Sequence, residues 1–242
     1  MLRAALAAFV ALAVHSAGAV GAQVCESPID EASYREPTDR YPHGILGDDL
    51  EWGTLRLSCG ARTLDVVLPE EMVFEDVAPR LVDLDADGAP EVVVVESHRD
   101  QGARLAVWGL AKKEPVRLAA TPFIGTRFRW LAPVGVADLN GDGTVELAYV
   151  DRPHLAKILR VWRYSDGKLT DVTSAAGFSN HKIGERDIAG GIRHCSGGPE
   201  MLLASADWKR LLAVRLDGQT LLSRDIGRHE GRASFAAALE CR

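Results

Sequence analysis

Two short acidic segments are the part of the sequence whose residue types and spacing could do chemistry. The first runs from Asp83 to Glu91 and the second from Asp138 to Glu146. In both, Asp or Asn stands at positions one, three and five, Gly at position six and Glu at position nine. Carboxylates at this spacing repel one another, whereas a hard cation such as Ca²⁺ takes six to eight oxygen ligands. The two segments therefore predict two calcium-binding loops.

The predicted ligands occupy the same positions in both loops. Three side chains, the backbone carbonyl at position seven and the Glu at position nine would surround the ion, and the Gly would let the chain turn around it. These ligands are Asp83, Asp85, Asp87, Ala89 and Glu91 in the first loop and Asp138, Asn140, Asp142, Thr144 and Glu146 in the second. With four carboxylates against three, the first loop should bind calcium more tightly. The alternative is a pair of ordinary Asp-Gly turns with solvated charges.

The elements that must position these loops are short strands. Apolar runs follow both loops, at 92–95 and 147–150, and a helix–loop–helix calcium site is excluded because Val94 and Tyr149 stand where it needs a Glu. The second loop begins 55 residues after the first, and a degenerate third copy of the repeat, without acidic ligands, lies at 197–202. Asp-Gly pairs at 166–167 and 217–218 predict type I′ hairpin turns. Such a repeat indicates stacked antiparallel sheets.

The predicted fold is therefore all-β, a small β-propeller of about four blades arranged as a closed ring. The C-terminal run at 234–239 resembles the stretch before each loop, and we expect it to complete a sheet begun by the N-terminal unit. The alternatives are an open or incomplete propeller, completed by another chain, and an irregular β-sandwich.

The two ends of the chain predict export and a single domain. Residues 1–22 have the features of a secretory signal peptide, because Arg3 precedes an apolar run and small residues precede Gln23. We expect 23–39 to be an N-terminal extension and 40–242 to be one β-propeller-like domain of repeats. No later segment is apolar enough for a membrane span, and the formal net charge of −6 argues against a nucleic-acid partner. The mature protein should be periplasmic or secreted.

Four cysteines remain after cleavage, and an even number in an exported protein predicts two disulfides. They are Cys25, Cys59, Cys195 and Cys241. Three pairings are possible and the sequence leaves all of them open. A bridge between Cys25 and Cys241 would join the two ends of the mature chain.

The repeated pattern Asp-x-[Asp/Asn]-x-Asp-Gly-x-x-Glu between strands resembles the FG-GAP and VCBS-type repeats of integrin-alpha-like propellers. The resemblance covers about residues 40–241 and carries the specific motif twice. It implies a β-propeller with Ca²⁺ in loops at the blade edges, of the exported bacterial type. Integrin-type propellers have more blades than this chain can supply. Members include adhesion and carbohydrate-associated proteins, so the resemblance does not define a function.

Polar and aromatic residues are expected on loops at one face of the ring, because equivalent loops of a propeller lie on the same side. Glu91, Glu146 and Glu200 begin equivalent strands, and Glu96 and Asp151 end two of them. Arg and aromatic residues nearby are typical of binding hot spots. The candidate binding face comprises Glu96, His98, Arg127, Arg129, Trp130, Asp151, Arg152, His154, His181, Asp207 and Trp208. Ordinary surface charges and packing tryptophans are the alternative.

The sequence contains no nucleophile elbow, no paired-histidine zinc motif and no phosphate-binding loop. We therefore expect a Ca²⁺-stabilised, non-catalytic exported propeller that binds an unidentified protein or glycan. One alternative is a hydrolase or lyase, for which Glu96, Asp151, His154 and Asp207 would have to converge in a cleft. The other is a structural subunit of an envelope assembly, which an exposed apolar patch or an open sheet edge would favour.

Overall fold

The computed structural model describes residues 24–195 and 197–242. Over this range the chain forms 17 β-strands and one α-helix, so the prediction of an all-β fold is confirmed. The predicted signal peptide, residues 1–22, lies outside the described residues. No helix in the described part of the chain is long and apolar enough to cross a membrane.

The strands form four successive antiparallel groups, called sheets here, of which the first two are hydrogen-bonded to each other in one eight-stranded sheet. The first contains β1 (Glu31–Thr38), β2 (Glu51–Cys59) and β3 (Arg62–Val67), and β4 (Met72–Phe74) pairs with both β2 and β6 and so links it to the second. The second contains β5 (Arg80–Val82), β6 (Glu91–His98), β7 (Gly102–Ala111) and β8 (Glu114–Ala120). The third contains β9 (Leu131–Ala137), β10 (Glu146–Asp151), β11 (Ile158–Ser165) and β12 (Lys168–Ala176). The fourth contains β13 (Phe178–Ser179), β14 (Gly191–Cys195), β15 (Gly198–Ser205), β16 (Arg210–Asp217) and β17 (Thr220–Arg228).

Successive sheets pack face to face through apolar side chains. Between the second and third sheets, Val93 and Leu105 pack with Leu131 and Leu147. Equivalent clusters join the first sheet to the second and the third to the fourth. The sheets therefore follow one another in chain order, as the predicted small propeller-like fold requires.

One of the two predicted hairpin turns is shifted by a residue. Asp166 and Gly167 join β11 to β12, and both have the positive φ (52° and 68°) that a type I′ turn needs. In the fourth sheet, however, Asp217 pairs with Thr220, so the turn is formed by residues 218–219 instead of 217–218. Gly218 has φ of 59° at the first turn position, which matches a type II′ turn.

The prediction that the C-terminal run completes a sheet is wrong, because it forms the helix α1 (Arg232–Leu239). Three consecutive alanines favour a helix there, and a spacing of three residues places Phe235 and Ala238 on one helix face. Both pack with Leu202 and Leu211, on the face of the fourth sheet that points away from the third. The helix thus occupies the face that a closed ring would present to the first sheet.

The expected N-terminal extension at 23–39 is part of the fold, because β1 pairs with β2 along its whole length. Both acidic loops lie within a sheet. Each joins the first strand of its sheet to the second, β5 to β6 and β9 to β10. The repeat boundaries therefore fall between the sheets, in the segments before β5 and β9.

The prediction of two disulfides is confirmed, with the pairs Cys25–Cys59 and Cys195–Cys241. The bridge between the chain ends is not formed. Cys25–Cys59 ties the N-terminal segment to β2, and Cys195–Cys241 ties the end of the helical segment to β14. Because the paired residues are 34 and 46 positions apart, loop closure predicts about 3–4 kcal/mol from each bridge. Two such bridges are typical of proteins outside the cytoplasm.

Candidate metal centre and ligand pocket

The first acidic loop folds around its own carboxylates. Side-chain oxygens of Asp83, Asp85 and Glu91 all lie within 4.8 Å of one another. Gly88 turns the chain with φ of 85°, and its N–H donates to Asp83 Oδ2 at 3.0 Å. Glu91 begins β6, and its Oε2 accepts the Leu84 N–H at 2.9 Å. The loop thus gathers carboxylate oxygens in the way that a calcium site needs.

The charge of this cluster makes it fit a divalent cation. Glu91 is only 6% exposed, and burial together with the charges of Asp85 and Asp87 raises the pKa of its carboxyl group. On the adjacent strand β7, the residue next to Glu91 is Gly109, which has no side chain to offer. A cation in this loop would be held by Asp83, Asp85, Asp87 and Glu91, and it would relieve the repulsion among them.

The second acidic loop repeats this geometry. Asp138 accepts the N–H groups of Gly141 at 2.7 Å and Gly143 at 2.9 Å. Glu146 begins β10, and its Oε2 accepts the Leu139 N–H at 2.9 Å, the same bond that Glu91 makes in the first loop. The two loops are therefore structurally equivalent, as their shared pattern predicts.

A basic side chain distinguishes the second loop from the first. Arg163 on β11 donates from Nη2 to Glu146 Oε1 at 2.6 Å and to Asp142 Oδ2 at 2.7 Å. It pairs with Glu146 across the two strands, in the position that Gly109 has beside the first loop. A hydrogen bond from Asn140 also lowers the pKa of Asp142. Because the second loop contains a cationic side chain of its own, it fits calcium less well than the first.

The two backbone ligands predicted at Ala89 and Thr144 lie in equivalent positions. Their N–H groups donate to Asp87 Oδ1 at 2.7 Å and to Asp142 Oδ1 at 2.9 Å. These bonds keep both residues inside their loops. Their carbonyl groups stay predicted ligands.

Only part of the predicted binding face comes together. Arg129, Trp130, Arg152 and His154 line a cavity of about 210 Å³ where loops of several sheets meet, and His181 is bonded to His154 behind its wall. The other members do not line this cavity. Glu96 and His98 are on β6, Arg127 precedes β9, Asp151 ends β10, and Asp207 and Trp208 lie between β15 and β16.

The acidic residues proposed for a catalytic cleft do not converge. Glu96 is buried and held by Arg104 Nη2 at 2.7 Å. Asp151 is held by Arg160 Nε at 3.0 Å. Asp207 is bonded within its own loop on the fourth sheet, where the hydroxyl of Ser205 donates to it and lowers its pKa to about 2. Each carboxylate is thus occupied by a different local partner.

The cavity also contains a histidine–carboxylate pair that the sequence does not predict. His43 lines the cavity, and its Nδ1 bonds to the fully buried carboxylate of Glu75. The second Glu75 oxygen accepts the Ser97 hydroxyl. Burial raises the pKa of Glu75, while the hydrogen bond from His43 opposes this shift. Glu75 directly follows the short strand β4, outside the repeat motif, so no sequence signal marks it.

A second imidazole, that of His154, is held in one tautomer. His181 Nε2 must donate to the Glu185 carbonyl at 2.8 Å, because a carbonyl only accepts. In neutral His181 the other nitrogen, Nδ1, then accepts from His154 Nε2 at 3.1 Å. Burial, followed by the repulsion that a second imidazolium would meet beside His181, lowers the pKa of His154 to about 4. His154 is therefore neutral at pH 7, with Nδ1 unprotonated.

A comparison with known protein families matches the part of the chain that contains the acidic loops. A family model described as an FG-GAP-like repeat matches residues 83–149, a range that contains both acidic loops. No curated protein matches the chain. The matched range begins at the first ligand position of one loop and ends just after the last ligand position of the other. Over residues 83–149 the chain is therefore similar to FG-GAP-like repeats, and both acidic loops lie within this segment.

Proposed function

We propose that this protein is an exported, calcium-stabilised and non-catalytic module that binds a protein or a glycan. Export is supported by the signal-peptide features of residues 1–22 and by the two disulfides. The calcium part is carried by one observation, the clustered carboxylates of Asp83, Asp85 and Glu91. Among the described residues, no Lys or Arg side chain forms an ion pair with this cluster, in contrast to the second loop. When bound, Ca²⁺ would supply the missing positive charge and fasten β5 to β6.

The calcium part is tested by thermal unfolding of wild type and two variants, Asp85→Ala and Asp166→Ala, in calcium and in EDTA. Both residues are exposed aspartates in turns, but only Asp85 belongs to the cluster. Calcium at 100 times its Kd should stabilise wild type and Asp166→Ala by about 2.7 kcal/mol. Asp85→Ala should lose most of this gain. An unchanged Tm of wild type, or the same calcium response in both variants, would contradict the proposal.

The binding part is supported by the mouth of the cavity that Trp130 and His154 line, called the central cavity from here on. Leu155 and Ile183 both line it and are 62% and 70% exposed, which is unusual for large apolar side chains grouped at one site. Together with the buried Trp130, they offer an apolar surface beside two imidazole rings. A pull-down with the mature protein tests this role. Leu155→Glu should abolish capture of the partner, whereas Val67→Glu, at an equally exposed valine on β3, should leave it intact.

A hydrolase or lyase function is the second candidate, and the pair His43–Glu75 favours it. A buried carboxylate that orients an imidazole is the usual support of a general base. His43 lies at the cavity wall, and Ser97 holds the far oxygen of Glu75. His43→Gln should abolish hydrolysis of ester or glycoside model substrates, with His98→Gln as the control. Absence of any turnover by wild type would remove this candidate.

A further inference from the structure

In the fourth sheet, a cluster of arginines lies where the second and third sheets have an acidic loop. β14 and β15 are joined by a tight turn, in which Cys195 pairs with Gly198. Glu200 nevertheless occupies the same place on β15 as Glu146 on β10, since each is the first buried residue of its strand. Glu146 is on the face of its sheet that packs against the fourth sheet, and Glu200 is on the face that packs against α1. The residue beside it on β16 is Arg215, which corresponds to Arg163 in the third sheet. Across the second, third and fourth sheets this position changes from glycine to arginine while the acidic ligands disappear.

Three guanidinium groups surround the single carboxylate of Glu200. Arg193 donates to Oε2 from Nη2 at 2.6 Å and from Nε at 2.9 Å. Arg215 Nε donates to Oε1 at 2.9 Å, and Arg224 Nη2 donates to the same oxygen at 3.1 Å. These bonds lower the pKa of Glu200 although burial alone would raise it, so the carboxylate is charged. Three positive charges therefore stand against one negative charge.

Two of these guanidinium groups keep most of their donors for another partner. The side chain of Arg193 is only 7% exposed, and its Nη1 donates to the Ala238 carbonyl at 2.7 Å. In contrast, the Arg215 and Arg224 side chains are 42% and 62% exposed. Each uses a single nitrogen in its bond to Glu200, and neither has another polar partner in the described part of the chain. A guanidinium has five N–H donors, so both can bind a second acceptor.

The free donors line a cavity. An open space of about 800 Å³ lies between the sheet and α1. It is bordered by four arginines of the sheet and two residues of the helix, namely Arg193, Arg215, Arg224, Arg228, Ser234 and Ala237. The exposed Arg228 forms no ion pair within residues 24–195 and 197–242 and adds a further positive charge. The turn is shaped to seat Arg215, because a Cβ at Gly197 would lie 2.1 Å from its Nη2. This concentration of positive charge contrasts with the net charge of −6 of the whole chain.

We propose that this cavity, between the outer face of the fourth sheet and α1, binds an oxyanion, either a free sulfate or phosphate or the same group as a substituent of a glycan. Paired N–H donors of arginine match the oxygens of such groups in charge and geometry. The site lies on a sheet without an acidic loop and does not depend on the calcium proposal. The repeat that lost its cation ligands has thus become a site for anions.

Calorimetric titration with a sulfated disaccharide, its unsulfated counterpart and inorganic sulfate or phosphate tests this proposal. Wild type should bind the sulfated sugar and not the unsulfated one. The double variant Arg215→Gln/Arg224→Gln should bind it about ten-fold more weakly or worse. The control Arg210→Gln removes an arginine on the same strand that pairs with Asp225 instead, and it should bind like wild type.

The arms of the experiment separate the possible outcomes. Binding of inorganic sulfate or phosphate as tight as that of the sulfated sugar identifies a site for the free ion. The affinity for the sulfated sugar should be the same in calcium and in EDTA. The result therefore does not depend on whether the acidic loops bind calcium. Equal affinity for the two sugars, no binding of any probe, or equal affinity of the double variant and Arg210→Gln would overturn the proposal. Melting curves of the variants show whether they are folded, since Arg193 still pairs with Glu200 in both.

Discussion

Replacing Arg163 by Gln should turn the second acidic loop into a tighter calcium site. Arg163 Nη2 lies 2.6 Å from Glu146 Oε1 and 2.7 Å from Asp142 Oδ2. Both oxygens belong to the predicted ligand set of this loop. The guanidinium and a calcium ion therefore compete for the same carboxylates, and loss of the guanidinium should favour the ion.

The size of the effect follows from these distances. A calcium ion lies about 2.4 Å from its oxygen ligands. An ion bound to Asp142 Oδ2 would therefore be at most ~5 Å from Arg163 Nη2. At ~5 Å, a unit charge repels a divalent ion by about 1.7 kcal/mol even at the dielectric constant of water, which is roughly twenty-fold in Kd. Because the Arg163 side chain is 31% exposed, its loss should cost only about 1 kcal/mol of stability without calcium.

Calorimetric calcium titration of chelator-treated protein measures this change. Wild type should show a tight site and a weaker one, and in Arg163→Gln the Kd of the weaker site should fall roughly twenty-fold. Arg160→Gln is the matched control, because Arg160 lies on the same strand but pairs with Asp151. If Arg163→Gln and Arg160→Gln have the same Kd at the weaker site, Arg163 does not compete with calcium for the carboxylates of the second loop.

Three further predictions concern the stability of the fold. Phe235→Ala should destabilise the protein by about 3–5 kcal/mol in denaturant unfolding, because Phe235 is 3% exposed. The control Leu222→Ala, at a half-exposed leucine, should cost about 0.5 kcal/mol, and equal losses of stability in the two variants would show that α1 does not cover the sheet. Because the pKa of His154 is about 4 when folded and ~6.5 when unfolded, the unfolded state binds the proton first and stability should fall as pH drops from 6.5 to 4. With partial exposure this loss should be about 1–2 kcal/mol, and a pH slope of the same size in His154→Gln as in wild type would refute it. Replacing Cys195 and Cys241 by Ser should cost about 3–4 kcal/mol, and an unchanged unfolding midpoint would contradict a bridge that constrains the unfolded chain.

The parts of the fold that the sequence predicts are those with a local cause. The two acidic loops could be placed because their residues bond to one another within a few positions, as Asp83 does with Gly88. The turn at Asp166 could be placed because positive φ at two successive residues demands Asp-Gly or a similar pair. The helix at 232–239 has only eight residues, so the helix propensity of its three alanines is a weak signal. Contact of Phe235 with the fourth sheet stabilises it.

The central cavity shows the opposite situation, because its geometry depends on residues that are distant in sequence. Trp130 and His154 could be selected from local composition. The link of His43 to Glu75 spans 32 positions, and Ser97 adds a third segment. No periodicity relates these segments, so the sequence alone gives no reason to bring them together. The pairing of the cysteines has the same cause, because four residues permit three pairings and only the packing of the sheets selects one.

We expect the first acidic loop to bind calcium, and equilibrium dialysis against radioactive calcium tests this. Chelator-treated wild type should take up calcium at a tight site. Asp83→Asn/Asp85→Asn, which keeps the shape of the loop and removes two charges, should lose that site while the weaker one remains. No uptake by wild type, or the same tight uptake by the double variant, would contradict this expectation.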